Sequence, residues 1–204
     1  LVPLIESAAV QRVLPRTLRL AISEREPVAQ VHVFESGSDG LLAPRVFYLD
    51  QNGCVMSPLV INGQTVPQTR EWLPTLTGVP GNQLRPGLAV ETPEIRAALN
   101  FISEFAKSSL MEVVGIHYID TSNSQTLLIT TEEGAEITLG LADFPTQLRR
   151  WRSVYDLGVR SNKSLASLDL AVANYVPARW LEEPVIVPPH KTNISNSSPY
   201  RKRH

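Results

Sequence analysis

Along the chain, apolar residues alternate with polar ones in several short runs and recur at helical spacing in two longer ones. In "TLRLAIS" (17–23), Leu18, Leu20 and Ile22 fall on one face and Thr17, Arg19 and Ala21 on the other, the period of a half-buried strand. The runs "VAQVHVF" (28–34) and "RVFYLD" (45–50) add two strands, separated by "ESGSDGLLAP", whose Gly, Ser and Asp mark a loop. After Asp50, the pair Asn52-Gly53 predicts a turn because it readily adopts positive φ. Ahead of these strands, "LIESAAVQRV" (4–13) reads as a short helix or helix end, interrupted at Leu14-Pro15. The first unit is therefore a helix end plus a small sheet, and proline-bearing loops carry the chain on to residue 87.

The second unit opens with the clearest helix signal. Thr92 is a good N-cap, Pro93 suits the first helical position, and Glu94 lies in the first turn; Ile95, Leu99, Ile102, Phe105 and Ala106 then recur at helical spacing. Strands at 112–120, 126–131 and 135–139 supply a sheet beneath it, the last two joined as a hairpin by "EEG". A second amphipathic helix runs from Pro145 to Leu157 with Leu148, Trp151 and Tyr155 on one stripe and Gly158 as its stop.

"SLDLAVANYVPARW" (167–180) reads as one closing strand. Alternation turns Leu168 and Leu170 inward and Asp169 outward; Val172, Asn174 and Val176 share the face of Leu168, with Ala173 and Tyr175 opposite. Pro177 cannot donate to a ladder, so it marks an edge, a bulge or a strand end, and it is expected to remove one amide from a ladder docked on that edge. The final stretch, 183–204, is rich in proline and small polar residues and is expected to be a mobile tail.

Composition narrows the function. Of 204 residues 43% are apolar, enough for real cores, and 19 basic against 20 acidic residues leave a net charge of -1, which steers the molecule toward neither nucleic acid nor an anionic membrane. The basic cluster "YRKRH" stands at the very end and is too short to change that. A single cysteine, Cys54, excludes an internal disulfide and a multi-cysteine metal site. No apolar run approaches the roughly 18 residues of a membrane span. The abrupt opening "LVPLIESAAVQRVLP" reads as a fragment that a membrane anchor can precede.

Catalytic patterns fail in turn: phosphate-binding glycine loops, a nucleophile elbow and a zinc-protease motif are all missing. His32 and His117 are flanked by apolar residues and read as ordinary strand positions, Cys54 as a small semi-buried residue, and Glu132-Glu133 as a solvated turn. Glu24 and Glu26 can share a strand face, but only 6% of residues are aromatic, which is poor material for a glycosidase cleft. The sequons at Asn193 and Asn196 are short enough to arise by chance. The expectation is a non-enzyme with no catalytic, cofactor or metal site, no nucleic-acid partner and no small-molecule substrate.

Several landmarks, in order, resemble the FtsQ/DivIB family of bacterial cell-division proteins. "LPRTLRLAISEREPVAQVHV" and then "LDQNGCV" resemble the second half of the family's POTRA domain, with Glu24-Arg25-Glu26-Pro27-Val28-Ala29 similar to its E-R-x-P-x-A and Asp50 to Gly53 to its D-x-x-G. "WLPTLTGVPGN" resembles the start of its β domain, Ile137-Thr138-Leu139-Gly140 a β-domain strand, Leu148-Arg149-Arg150-Trp151 its L-x-R-F helix, and Leu168-Asp169-Leu170 with Arg179-Trp180 its closing segment. The resemblance covers residues 4–181. Ala171 and Val172 depart from it by replacing an Arg-Tyr pair, as does Pro177 at a small or apolar position.

The resemblance implies an α+β fold: a partial POTRA unit (1–70, its N-terminal part missing), a β domain (71–182) with a mostly antiparallel curved sheet and two packed helices, and the tail (183–204). It also implies a divisome scaffold anchored in the inner membrane by a single N-terminal span absent from this chain, with this region periplasmic at the septum. Its partners are then FtsB/FtsL-like coiled-coil proteins, bound by strand addition to the C-terminal edge through Val172, Ala173, Asn174, Tyr175, Val176 and Trp180. Glu24, Arg25, Glu26 and Pro27 form the POTRA motif, in recruitment or as structure. The alternative from another class is a POTRA-type assembly factor of outer-membrane biogenesis.

Overall fold

The computed structural model describes residues 3–36, 41–61, 64–66, 73–172 and 176–181. Chain order begins with strands β1 (Ile5–Val13), β2 (Thr17–Glu24), β3 (Ala29–Ser36), β4 (Leu42–Leu49), β5 (Val55–Met56), β6 (Leu59–Ile61), β7 (Gln64–Val66) and β8 (Thr75–Thr77). Helix α1 (Pro93–Ala106) precedes β9 (Ile116–Asp120), β10 (Thr126–Thr131) and β11 (Glu136–Gly140). Helix α2 (Phe144–Ser161), β12 (Leu165–Asp169) and β13 (Ala178–Trp180) complete the series. The fold class is α+β.

One nine-stranded sheet carries the molecule, in the order β13-β12-β11-β10-β9-β8-β3-β4-β5. Most neighbours are antiparallel; β3/β8, β8/β9 and β11/β12 are parallel. Parallel neighbours cannot be joined by a tight turn. Between β8 and β9 the chain crosses over through α1, and between β11 and β12 through α2. The two helices lie together on one face of the sheet, where Phe101 of α1 meets Phe144 edge-on at 5.7 Å and Phe105 meets Trp151 at 6.1 Å between ring centroids. Beneath them Val31, Phe47, Leu76, Ile119, Ile129, Ile137, Leu139 and Leu168 are buried, while Gln30, Tyr118, Thr130 and Thr138 occupy the alternate positions of the same strands.

Helix α1 begins as its first residues predict. Thr92 is extended, its Oγ1 accepts the Ile95 N–H at 3.4 Å, and Pro93 opens the first turn. Phe101 was not in the predicted stripe, yet it is fully buried. Helix α2 does not stop at Gly158. It runs to Ser161 and is capped by Asn162 in the left-handed region (φ 52), whose N–H reaches the Gly158 and Val159 carbonyls, a conformation that asparagine tolerates. The buried Gln147 side chain ties the start of α2 to the end of β11: Oε1 accepts the Gly140 N–H at 2.9 Å, and Nε2 donates to the carbonyls of Gly140 and Ala142 at 3.2 and 2.6 Å.

Residues 4–13 are not a helix end. Ile5–Val13 is a strand, antiparallel to β2, in a separate two-stranded sheet. Pairing satisfies its backbone and aligns Ala8 with Ile22, Val10 with Leu20 and Arg12 with Leu18, so a weak helical preference loses to the ladder. The strands at 29–36 and 42–49 do not form a small sheet with this hairpin; they belong to the nine-stranded sheet, which crosses the loops expected to divide the chain at 70/71.

Candidate partner-binding edge and its hinge

The closing segment differs from a single long strand. β12 ends at Asp169, whose carboxylate accepts the Ala171 N–H at 3.0 Å and so bends the chain away. Residues 173–175 are outside the described region, and the chain then returns as β13, antiparallel to β12, with Leu165 opposite Trp180, Ser167 opposite Arg179 and Leu168 opposite Ala178. Leu168 and Leu170 are buried as alternation predicts.

β13 is the outermost strand. Its inner side is fixed by the Asp169 N–H donating to the Pro177 carbonyl at 2.9 Å and the Leu181 N–H donating to Ser164 at 2.8 Å. In an antiparallel strand both main-chain groups of a residue point the same way and successive residues alternate. Pro177, Arg179 and Leu181 therefore face β12, and Ala178 and Trp180 turn their N–H and C=O outward. This corrects the role expected of Pro177: the amide it lacks belongs to the inner ladder, and the outward row keeps its donors.

The far end of the sheet is different. The Val55 N–H donates to Leu88 at 2.9 Å, the Gly87 N–H donates to Val55 at 2.8 Å, and Cys54 bridges Ala89, so residues 87–90 cover β5.

Of the residues expected at the partner site, Val172 lies in the bend, 44% exposed, with its carbonyl 3.4 Å from Arg150. Val176 and Ala178 are half-buried against the core. Trp180 is half-buried too, its ring lying over Gly158 of α2. Ala173, Asn174 and Tyr175 lie outside the described residues. The strand-sharing expected of Val172 and Val176 is not observed, because the bend separates them.

The motif Glu24 to Pro27 sits at the hinge between hairpin and sheet. The Arg25 N–H donates to the Leu4 carbonyl at 2.8 Å, and its guanidinium contacts the Asp50 carboxylate at 2.5 Å. The hydrogen bond to Asp50, ahead of opposing desolvation, raises the Arg25 pKa. Asp50 is 3% exposed, and its other oxygen accepts the N–H groups of Asn52 at 2.9 Å and Cys54 at 2.8 Å. Gly53 completes that turn at φ 78; a Cβ there would lie 2.8 Å from the Val90 carbonyl. Arg25 thus fastens the hairpin to the D-x-x-G turn. Glu24 ends β2 and Glu26 lies beyond it, both exposed, so strand alternation does not make them a pair.

Burial pushes the Cys54 thiol pKa up, against the activation a nucleophile needs. An open cleft of about 590 Å³ beside α1 is lined by Asn52, Glu91, Arg96, Asn100 and Ser103 among others, without histidine or cysteine. Among the described residues no cluster of histidine, cysteine and carboxylates is suited to a metal ion, and no helix is long and apolar enough to cross a membrane.

Residues 43–171 match the family described as cell division protein FtsQ/DivIB, C-terminal. The chain is similar to a cell division protein FtsQ from Geotalea daltonii, 31% identical over 156 residues covering 75% of this chain and 50% of that protein. It is also similar to one from Koribacter versatilis, 26% identical over 164 residues covering 75% of this chain and 42% of that protein. The chain spans about half the length of these curated relatives or less. The sheet with its two crossover helices and the agreement over more than half of the sequence identify the chain as a member of the FtsQ/DivIB family of cell-division proteins.

Proposed function

We propose that this chain is part of a non-enzymatic divisome scaffold that holds a partner of the FtsB/FtsL type by accepting its strand on β13. A difference between the two end strands carries the reading: β5 is covered by 87–90, whereas among the described residues nothing lies against the outward main-chain groups of Ala178 and Trp180 on β13. An unpaired edge is a template that an extended peptide satisfies, and alternate side chains give the specificity. Val172, Val176 and Trp180 contribute to partner contact there, together with Ala173, Asn174 and Tyr175, which lie outside the described residues. The hairpin 5–24 with Glu24, Arg25, Glu26 and Pro27 belongs to a POTRA unit that serves recruitment. We place its boundary with the β domain at the Arg25 hinge, because β3 and β4 already pair within the larger sheet. A single membrane span on the N-terminal side holds the scaffold in the inner membrane, with this region periplasmic at the septum.

The test is titration of the chain with a peptide from the C-terminal region of its own organism's FtsB. Saturable binding is expected. Ala178→Pro, which removes an outward donor, weakens it at least about ten-fold, as loss of a ladder bond and a ring at the interface require, whereas Pro177→Ala leaves it intact. No saturation at high micromolar peptide, together with normal division in cells carrying Ala178→Pro, would sink the reading.

A further inference from the structure

We infer that Gly158 is the positioning residue of the β13 edge, a notch on α2 that admits the Trp180 indole and thereby holds the strand in register. The inference rests on the proposed strand addition for its functional meaning, while the notch itself is geometric. Gly158 is buried within α2 and is not among the glycines with positive φ, so no turn demands glycine there. Space does. A Cβ on Gly158 would lie 2.5 Å from Cζ3 and 3.1 Å from Cη2 of Trp180, and 2.9 Å from the Lys163 carbonyl oxygen. Atoms do not approach so closely, and the backbone oxygen belongs to the turn that ends the helix, where the Lys163 N–H donates back to Gly158 at 2.9 Å.

This contact adds to a short ladder and to the packing of Val176 and Ala178 against the core. β13 is three residues long, and its pairing with β12 is interrupted by an irregularity between Leu165 and Ser167. A ladder this short is marginal without side-chain packing. The indole is the largest side chain on β13, and it reaches across to α2 at the end of the strand whose main chain faces outward. Losing the notch would tilt or detach that end, so the partner would meet a disordered edge instead of a formed one. Trp180 then acts chiefly by holding its own strand.

The experiment combines Gly158→Ala and Gly158→Val with Trp180→Leu in the intact chain. The readouts are amide hydrogen exchange of residues 176–181 and binding of the same FtsB peptide. Either Gly158 variant is expected to speed exchange of the inward-facing Arg179 and Leu181 amides within 176–181 by about ten-fold or more while 126–140 keep their protection, because local opening of an edge leaves inner strands closed. Peptide binding should weaken in parallel. In the Trp180→Leu background, where the smaller side chain relieves the closer clash and leaves that with the Lys163 oxygen, Gly158→Ala should cost much less binding than it does beside Trp180. Should Gly158→Val unfold the sheet, Gly158→Ala gives the same comparison. Equal cost in both backgrounds, or unchanged exchange at 176–181, overturns the inference. Failure of the unmodified chain to bind peptide would remove the strand-addition reading, and the exchange data would still decide whether Gly158 holds β13.

Discussion

The hairpin 5–24 and the nine-stranded sheet are built from the same alternation and meet opposite fates. Leu20 is 59% exposed and Val10 opposite it 68%, although they share an apolar face with Leu18 and Ile22. Leu139 and Ile137, on a strand with the same period, are fully buried because α2 lies over them. Alternation fixes which residues share a face; what covers that face depends on elements far away in sequence. The hairpin is tied to the sheet through the Arg25–Asp50 pair, whereas the buried face of the sheet is covered by both helices.

The contrast can be tested by matched substitutions. Trp151→Ala should have the largest effect, lowering unfolding stability by about 3–5 kcal/mol, because it empties a fully buried site against Phe105. Urea denaturation measures it, and a loss below about 1 kcal/mol would mean that the helices do not seal the sheet. Leu139→Ala should cost about 2–5 kcal/mol by the same cavity mechanism. Asp50→Ala strips Arg25 of its partner and two N–H groups of their acceptor; with both side chains largely buried, about 2–4 kcal/mol is expected. Faster amide exchange throughout 5–24 should accompany it, and a hairpin as protected as before would show that the hinge lies elsewhere. Leu20→Ala comes last, within about 0.5 kcal/mol, since a solvated side chain loses little; a loss comparable to that of Leu139→Ala would erase the distinction between the two regions.

The parts of this fold that were legible in the amino-acid order are those governed by near neighbours. Thr92, Pro93 and Glu94 announce α1 because an N-cap acts within one turn, and "EEG" announces the β10–β11 hairpin because Gly134 supplies φ 85. The family landmarks led to the right family by the same local route. Long-range pairing was less visible. Ile5–Val13 looked helical until β2 supplied its ladder, and Phe101 fell off the apparent stripe because α1 is flanked by both the sheet and α2. The closing segment read as one strand since neither the bend made by Asp169 nor the return pairing leaves a periodic mark. Gly158 carried a misleading signal: glycine near a helix end suggests a stop, and only the position of Trp180 shows that it serves close approach.

Covering β5 with residues 87–90 has a consequence for solubility. A sheet exposed at both ends is a link that can be added to indefinitely, which is how ordered aggregates grow. Beside Val55 that place is already taken, so on the proposed reading a strand is added at β13 and not at β5. A copy that offered its β13 edge would therefore find no vacant β5 on the next copy from which to continue the chain.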